Sequence, residues 1–322
     1  MKQTTVSMMN ALVVDSYGDP RNARIAEVET PKAKDGQLLV RIHAAGVNPF
    51  DYKLITGMAK DWMPLTFPYI PGMDGAGIVA DVGAGVQGWR SGDALLAQFP
   101  HGTFAQYALI SAKDKKLARK PDALDFEHAA AIPEAGLTAK TMVQAAGIHE
   151  GQKVLIVGAS GGLGLFATQL AKAEGARVIA TGTAADADYL RHLGADDTVD
   201  YKSGDTIAQT LSRYPDGIDV VLDVISTGDA VVRDAEVLRA GGTIVSSLGG
   251  PSQNAFPAGV TVRYIQLTAQ DGDLEELARR AADGTLNVEI GQIYDLSQAA
   301  QALADLSDHA KHTRGKLVVR VP

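Results

Sequence analysis

A short, almost wholly apolar run, Lys153-Val154-Leu155-Ile156-Val157, leads straight into Gly158-Ala159-Ser160-Gly161-Gly162-Leu163-Gly164. A helical pattern from about Gly162 to Glu174 follows, and then a second β-prone run, Arg177 to Ala180. Small residues let the backbone turn tightly and let phosphate oxygens approach the amides. The start of the helix adds unpaired N–H groups and a partial positive charge. Strand before, helix after and a second strand about twenty residues on read as a dinucleotide-binding turn. Gly158, Ser160, Gly161, Gly162, Leu163 and Gly164 are its expected cofactor contacts. A tight βα turn without a ligand is the bland alternative.

The same residues spell Gly-x-Ser-x-Gly around Ser160, the nucleophile-elbow pattern of serine hydrolases. Asp223 or Asp271, followed by His309 or His312, would complete the chain order of a triad. However, no His-Gly-Gly-Gly segment precedes Ser160, and Gly164 has no task on that reading.

Beyond the turn, strands and helices alternate. Asp197 to Tyr201, Asp219 to Ile225 and Thr243 to Ser247 continue the series, as a doubly wound parallel sheet of α/β class requires. Before residue 120 the pattern is β-rich. Ala11 to Asp15, Arg24 to Val28, Leu38 to His43, Gly77 to Val82, Ala94 to Gln98 and Phe104 to Ile110 are short runs separated by turn residues, which suggests a barrel-like or sandwich domain. After Thr261 to Thr268 come a helix near Leu274 to Ala282, a helix from Gln298 to Leu306 and a strand from Lys316 to Val321. The domains expected are 1–122, a dinucleotide-binding domain over 123–268, and a tail, 269–322, that returns to the first.

The chain has no cysteine, which removes disulfides, thiol nucleophiles and cysteine-ligated zinc together. A net charge of -8 and the absence of a basic run argue against nucleic acid as a partner. No apolar run approaches the ~18 residues of a membrane span, and Lys2 with Met8 to Val14 lacks a signal-peptide cleavage pattern, so the expected location is the cytoplasm.

The end of the second strand usually tells the dinucleotides apart, because a carboxylate there binds the ribose hydroxyls of NAD. This chain has Thr181-Gly182-Thr183, with Ala184 and Ala185 before Asp186. Nothing there repels a 2′-phosphate, and Tyr201 and Lys202 after the third strand could contact one. NADP(H) is favoured and NAD(H) remains possible.

With those residues in view, the chain resembles the zinc-free quinone-reductase branch of the medium-chain dehydrogenase/reductases, which includes zeta-crystallin-like quinone and enone reductases. The landmarks are Ala45-Gly46-Val47-Asn48-Pro49-Phe50-Asp51-Tyr52-Lys53, Pro71-Gly72-Met73-Asp74-Gly75-Ala76-Gly77, Gly136-Leu137-Thr138-Ala139, the glycine turn, and His312-Thr313-Arg314-Gly315-Lys316. The resemblance implies a GroES-like N-terminal catalytic domain and a Rossmann domain, often dimeric. It also implies that Thr138, Leu248 and Gly249 border the nicotinamide. Relatives that use zinc carry a cysteine near the position of Asn48, and Gly-His-Glu where this chain has Gly72-Met73-Asp74. Both ligand types are missing.

Without zinc, the chemistry suits acceptors that are already electrophilic: quinones, or alkenes conjugated to a carbonyl. Because the matching family segment lines the cleft, the resemblance makes Asn48 and Lys53 the candidate donors to the developing oxyanion. The plainer readings are a turn start at Asn48 before Pro49 and a surface lysine at Lys53. Tyr52 is a wall of the site or a proton donor, and Asp51 is read as a cap on local amides. A nucleotide-binding redox sensor with little turnover is the competing class. His309 and His312 sit three apart beside Asp308 and read as a solvated helix face rather than a metal site.

Overall fold

The computed structural model describes residues 7–308 and 311–322. Lys2 and His309 lie outside the described residues. Two compact units emerge, Met1–Glu134 with Ala269–Pro322, and Ala135–Thr268.

In the first unit, β1 (Met8–Val13) pairs antiparallel with β2 (Arg24–Glu29). β3 (Gln37–Val47) is the spine of the main sheet, and α1 (Pro49–Ile55) follows it directly. β4 (Asp74–Val82), β5 (Ala94–Gln98), β6 (Tyr107–Ser111) and β7 (Leu117–Arg119) come next. β3 pairs with β4 and β6, β4 with β5, and β5 with β7, all antiparallel. The run from Phe104 was expected as strand. It begins its ladder at Tyr107 because Ala105 and Phe104 serve β1 instead, through the Ala11–Ala105 bridge and the Leu12 N–H bond to the Phe104 carbonyl.

α2 (Phe126–Ala130) packs on β3, β4 and β5. A Cβ at Gly46 would meet the Ala130 carbonyl oxygen at 2.4 Å, so the bare backbone of β3 is what admits this helix. The first unit runs through α2 to Glu134, just inside α3 (Pro133–Ala146).

The second unit is a six-stranded sheet built from β8 (Lys153–Val157), β9 (Arg177–Gly182), β10 (Asp197–Asp200), β11 (Ile218–Asp223), β12 (Leu238–Ser246) and β13 (Thr261–Tyr264). Every pairing is parallel, in the order β10-β9-β8-β11-β12-β13. α4 (Gly164–Ala173), α5 (Ala187–His192), α6 (Thr206–Arg213) and α7 (Asp229–Asp234) connect the strands. α4 is buried on all sides from Gly164 to Ala171, which explains its lack of a polar face. Between β8 and β11 the winding reverses, and in open parallel sheets ligands bind outside the strand ends at such a point.

The chain then re-enters the first unit through α8 (Asp273–Ala282), β14 (Ile290–Asp295), α9 (Ala299–Ser307) and β15 (Lys316–Arg320). β15 lies between β14 and β3 and completes the first unit's sheet. His312 follows the end of α9 and is not helical, so the expected helix face shared with His309 does not extend to it.

Candidate active site

The turn after β8 divides its work among three glycines. Gly158 has φ +86°, and a Cβ there would strike Ile225 Cγ2 at 2.6 Å and Val224 Cγ2 at 2.9 Å. Gly164, the first residue of α4, lies so close to the turn that a Cβ would come within 2.1 Å of the Gly158 carbonyl oxygen. Gly161 differs: a Cβ there would find only that same oxygen, at 3.6 Å, and otherwise open space. One glycine therefore makes the turn, one seats the helix, and one leaves room for a ligand to reach the backbone. The first helical bonds run from Leu165 N–H to Gly161 C=O (3.0 Å) and from Ala167 N–H to Leu163 C=O (3.1 Å). The amides of Gly162 and Leu163 thus fall in the unpaired first turn of the helix, where an anion is favoured.

Ser160 is buried, and no residue other than glycine has a positive φ among those described. The strained serine of a nucleophile elbow is absent from this turn. Of its suggested partners, Asp271 is exposed and pairs with Lys115 at 3.5 Å, and Asp223 accepts the amides of Ile225 (3.1 Å) and Ser226 (2.9 Å).

Thr181 supports the turn from below: its hydroxyl oxygen accepts the Gly158 N–H at 2.9 Å, and its side chain is buried. Thr183 donates its hydroxyl to Asp186 Oδ2 (2.7 Å), which also accepts the Thr183 N–H (2.8 Å). Asp186, beyond the end of β9, is fully buried and turned toward Thr183. A cavity of about 370 Å³ opens at the ends of β8, β9 and β11, lined among others by Val157, Thr181, Tyr201, Ile225 and Arg233. Arg233 is ion-paired with Asp205 there. Leu248 and Gly249 follow β12; Leu248 is exposed, and Gly249 has φ +73° with open space around it. Thr138 is part-buried on α3. A pyrophosphate cradle, an adjoining cavity and a strand-end site fit a dinucleotide.

The catalytic candidates lie in the first unit. Asn48 is only 2% exposed. Its Nδ2 donates to Asp74 Oδ2 at 2.9 Å, its Oδ1 accepts from Lys316 Nζ, and its backbone N–H donates to Asp51 Oδ2 at 2.8 Å. An amide held at both ends and buried this deeply is a positioning group, so its expected role as an open donor gives way to one inside a polar cluster. Asp51 caps α1 as expected. Tyr52 is part-buried against the apolar core, and burial pushes its hydroxyl pKa up. Lys53 is part-buried on the same helix.

The sequence reading gave no role to Asp74, Glu134 or Lys316, which complete the cluster. Asp74 also accepts the Glu134 N–H (3.0 Å), and Lys316 Nζ donates to the Val47 carbonyl (3.2 Å) and lies 4.0 Å from Asp74. Burial raises Asp74 and Glu134 above the ordinary carboxylate range, Asp74 raises Glu134 further, and Lys316 opposes both. Asp51 is raised strongly, first by burial and then by Glu134. The signal was available: Asp74 and Lys316 stand in two quoted landmarks.

Residues 193–319 match the zinc-binding dehydrogenase family, and residues 34–122 match the alcohol dehydrogenase GroES-like domain. The first description implies zinc, which prefers tetrahedral cysteine and histidine ligation. This chain has no cysteine, and its buried cluster joins carboxylates and an amide to an ammonium. Among the described residues no group of three His, Cys, Asp or Glu converges to hold a metal. The residues present do not fit zinc.

The chain is 31% identical to a quinone oxidoreductase of Sus scrofa, over 98% of this chain and 99% of that one. It is 33% identical to 2-methylene-furan-3-one reductase of Solanum lycopersicum, over 80% and 68%. The solved structure of the quinone oxidoreductase from Coxiella burnetii superposes with a TM-score of 0.87 at 29% identity, covering 98% of this chain and all of that one. The chain is an oxidoreductase with a nicotinamide cofactor. It belongs to the quinone oxidoreductase branch of the medium-chain dehydrogenase/reductases, with a GroES-like domain and a Rossmann sheet.

Proposed function

We propose that the protein is an NADPH-dependent reductase that delivers hydride to a quinone or an α,β-unsaturated carbonyl without zinc. The observation that carries this reading is the turn at Gly158–Gly164, open at Gly161 and set at the reversal of the parallel sheet. Bound there, a reduced nicotinamide supplies the hydride. The chain's own groups orient the acceptor and receive the charge that develops on its oxygen. Lys53 and Tyr52 are the donors proposed to meet that oxygen, with Asn48 holding the cluster behind them. Thr138, Leu248 and Gly249 border the ring.

NADPH is preferred on this reading because Asp186 is buried, with its Oδ2 taken by the amide and hydroxyl of Thr183 rather than offered to a ribose. The exposed Tyr201 and its neighbour Lys202 stand after the adjoining strand β10. The names of the pig and tomato relatives support a quinone and an enone as acceptors. Among the described residues β13 is an outer edge of the Rossmann sheet, and we propose that it pairs with a second copy in a homodimer of the cytoplasm. No helix among the described residues is long and apolar enough to cross a membrane.

The test is oxidation of NADPH and of NADH with a quinone and with an enone. Turnover with either acceptor, at least about tenfold more efficient with NADPH, is expected. Binding of NADPH without turnover would make the protein a sensor, and turnover of an activated ester alone would restore the hydrolase. Light scattering decides the dimer.

A further inference from the structure

We propose that Glu134 is the general acid of the reductase, the group that gives the acceptor oxygen its proton. This rests on the reductase reading above. Three carboxylates, Asp51, Asp74 and Glu134, share one buried region with a single buried ammonium, that of Lys316. Carboxylates so placed do not all ionise together, because each charge is poorly solvated and repels the next. A proton is thus retained in the cluster.

Its members are not equally able to release it. Asp51, Asp74, Asn48 and Lys316 are buried, and Asp74 and Asn48 are occupied by the hydrogen bonds already described. Glu134 alone of the three acids is part-exposed. Its backbone N–H is pinned to Asp74, and its side chain meets only a long contact from Gln98 Nε2, 3.5 Å to Oε2. The charged groups acting on it are Asp74 on β4, Asp51 on α1, Lys316 on β15 and Lys116 before β7. Position adds a second argument. Glu134 and Thr138 stand four apart on α3 and hence on one face, about 6 Å between Cβ atoms. Glu134 thus stands one helical turn from Thr138, the residue proposed above to border the nicotinamide.

The step balances. The acceptor gains a hydride, and with it two electrons, from the reduced nicotinamide, so charge moves onto its carbonyl oxygen as an enolate or quinolate. The O–H bond of Glu134 then breaks toward that oxygen. A neutral enol or quinol forms and Glu134 is left as carboxylate. Water returns the proton to Glu134, and the enol of an enone substrate tautomerises to the saturated carbonyl.

Glu134→Gln tests this, since it keeps the backbone N–H on Asp74 and the side-chain shape while removing the acidic proton. With a quinone and an enone, turnover should fall about 100-fold or more while NADPH binding by fluorescence stays within twofold. Wild-type kcat/KM should decline as pH rises through a titration above the ordinary carboxylate range, and Glu134→Gln should lack that limb. Glu134→Asp should retain the limb with intermediate turnover. Infrared difference spectra of cofactor-free wild type against Glu134→Gln should show a protonated carboxyl band near neutral pH. A loss under threefold with the limb intact, or no such band, overturns the proposal. If wild type binds NADPH and consumes it with neither acceptor, the reductase reading itself has failed, and the general acid goes with it.

Discussion

The Nζ of Lys316, carried on the last strand, hydrogen-bonds to Oδ1 of Asn48, 268 residues earlier in the chain. The contact ties β15 to the start of α1 and places a cation inside a group of carboxylates. Removing it leaves buried acids with no compensating charge, which costs about 3–5 kcal/mol for pairs of this kind.

Lys316→Met is therefore expected to destabilise the protein by about 3 kcal/mol near pH 8 and by less near pH 5.5. The sign follows from Asp74 and Glu134. Their folded-state pKa values are already raised by burial, and Lys316 holds them down. Without it they rise further. Groups of this kind contribute stability at low pH and lose it as pH rises through the folded value. Urea unfolding of both proteins at the two pH values checks this; an equal loss at each would mean that Lys316 contributes packing alone.

The glycine turn separates two substitutions that look alike on paper. At Gly161 a Cβ meets nothing nearer than 3.6 Å, so Gly161→Ala should fold normally yet weaken NADPH binding by about tenfold or more, because the methyl group occupies the ligand's approach. At Gly164 the same Cβ lies 2.1 Å from a backbone oxygen, and Gly164→Ala should lose about 1–3 kcal/mol of stability. Thermal unfolding and fluorescence titration together tell the outcomes apart. Equal effects of the two changes on melting would refute this division of roles.

How much of this could be read from the chain depends on how local each cause is. The turn was legible because its strand, its glycines and its helix are contiguous, and periodicity alone marks them. The alternation that builds the parallel sheet was legible for the same reason. The acid cluster was not. Asp74 and Glu134 are 60 residues apart, and Lys316 meets Asn48 only because β15 returns to β3. Asn48 looked like an open donor because nothing in the sequence says how deeply a residue before Pro49 is buried. The direction in which Thr181 and Asp186 turn was not legible either: their polar atoms face inward, to the backbone of Gly158 and to Thr183.

Thr181 gives a third test. Its hydroxyl accepts the Gly158 N–H beneath the turn, and valine keeps the shape but not the acceptor. Thr181→Val leaves that amide unpaired, at about 1–3 kcal/mol. Because Gly158 sets the geometry of the turn, cofactor affinity should fall along with the melting temperature. Unchanged affinity in a less stable protein would confine Thr181 to a structural role.

Asp223, at the end of β11, gives a test of pH dependence in the second unit. Its Oδ1 accepts two backbone amides, while its Oδ2 is buried without a hydrogen-bond partner among the described residues. Burial is the larger influence and pushes the carboxyl up from 3.8 to about 6, against the two amides. A carboxyl raised in the folded state favours folding while protonated, and that contribution is lost as pH climbs from about 4 to about 6. The loss is on the order of 3 kcal/mol. Asn presents the same carbonyl oxygen to the Ile225 and Ser226 amides and carries no charge to bury. Asp223→Asn should therefore gain stability on wild type between pH 4 and pH 7, with the difference between the two unfolding curves flat above that range. Parallel curves across the whole range would show that Asp223 keeps its charge in the folded protein, and that Oδ2 has found water at the strand end.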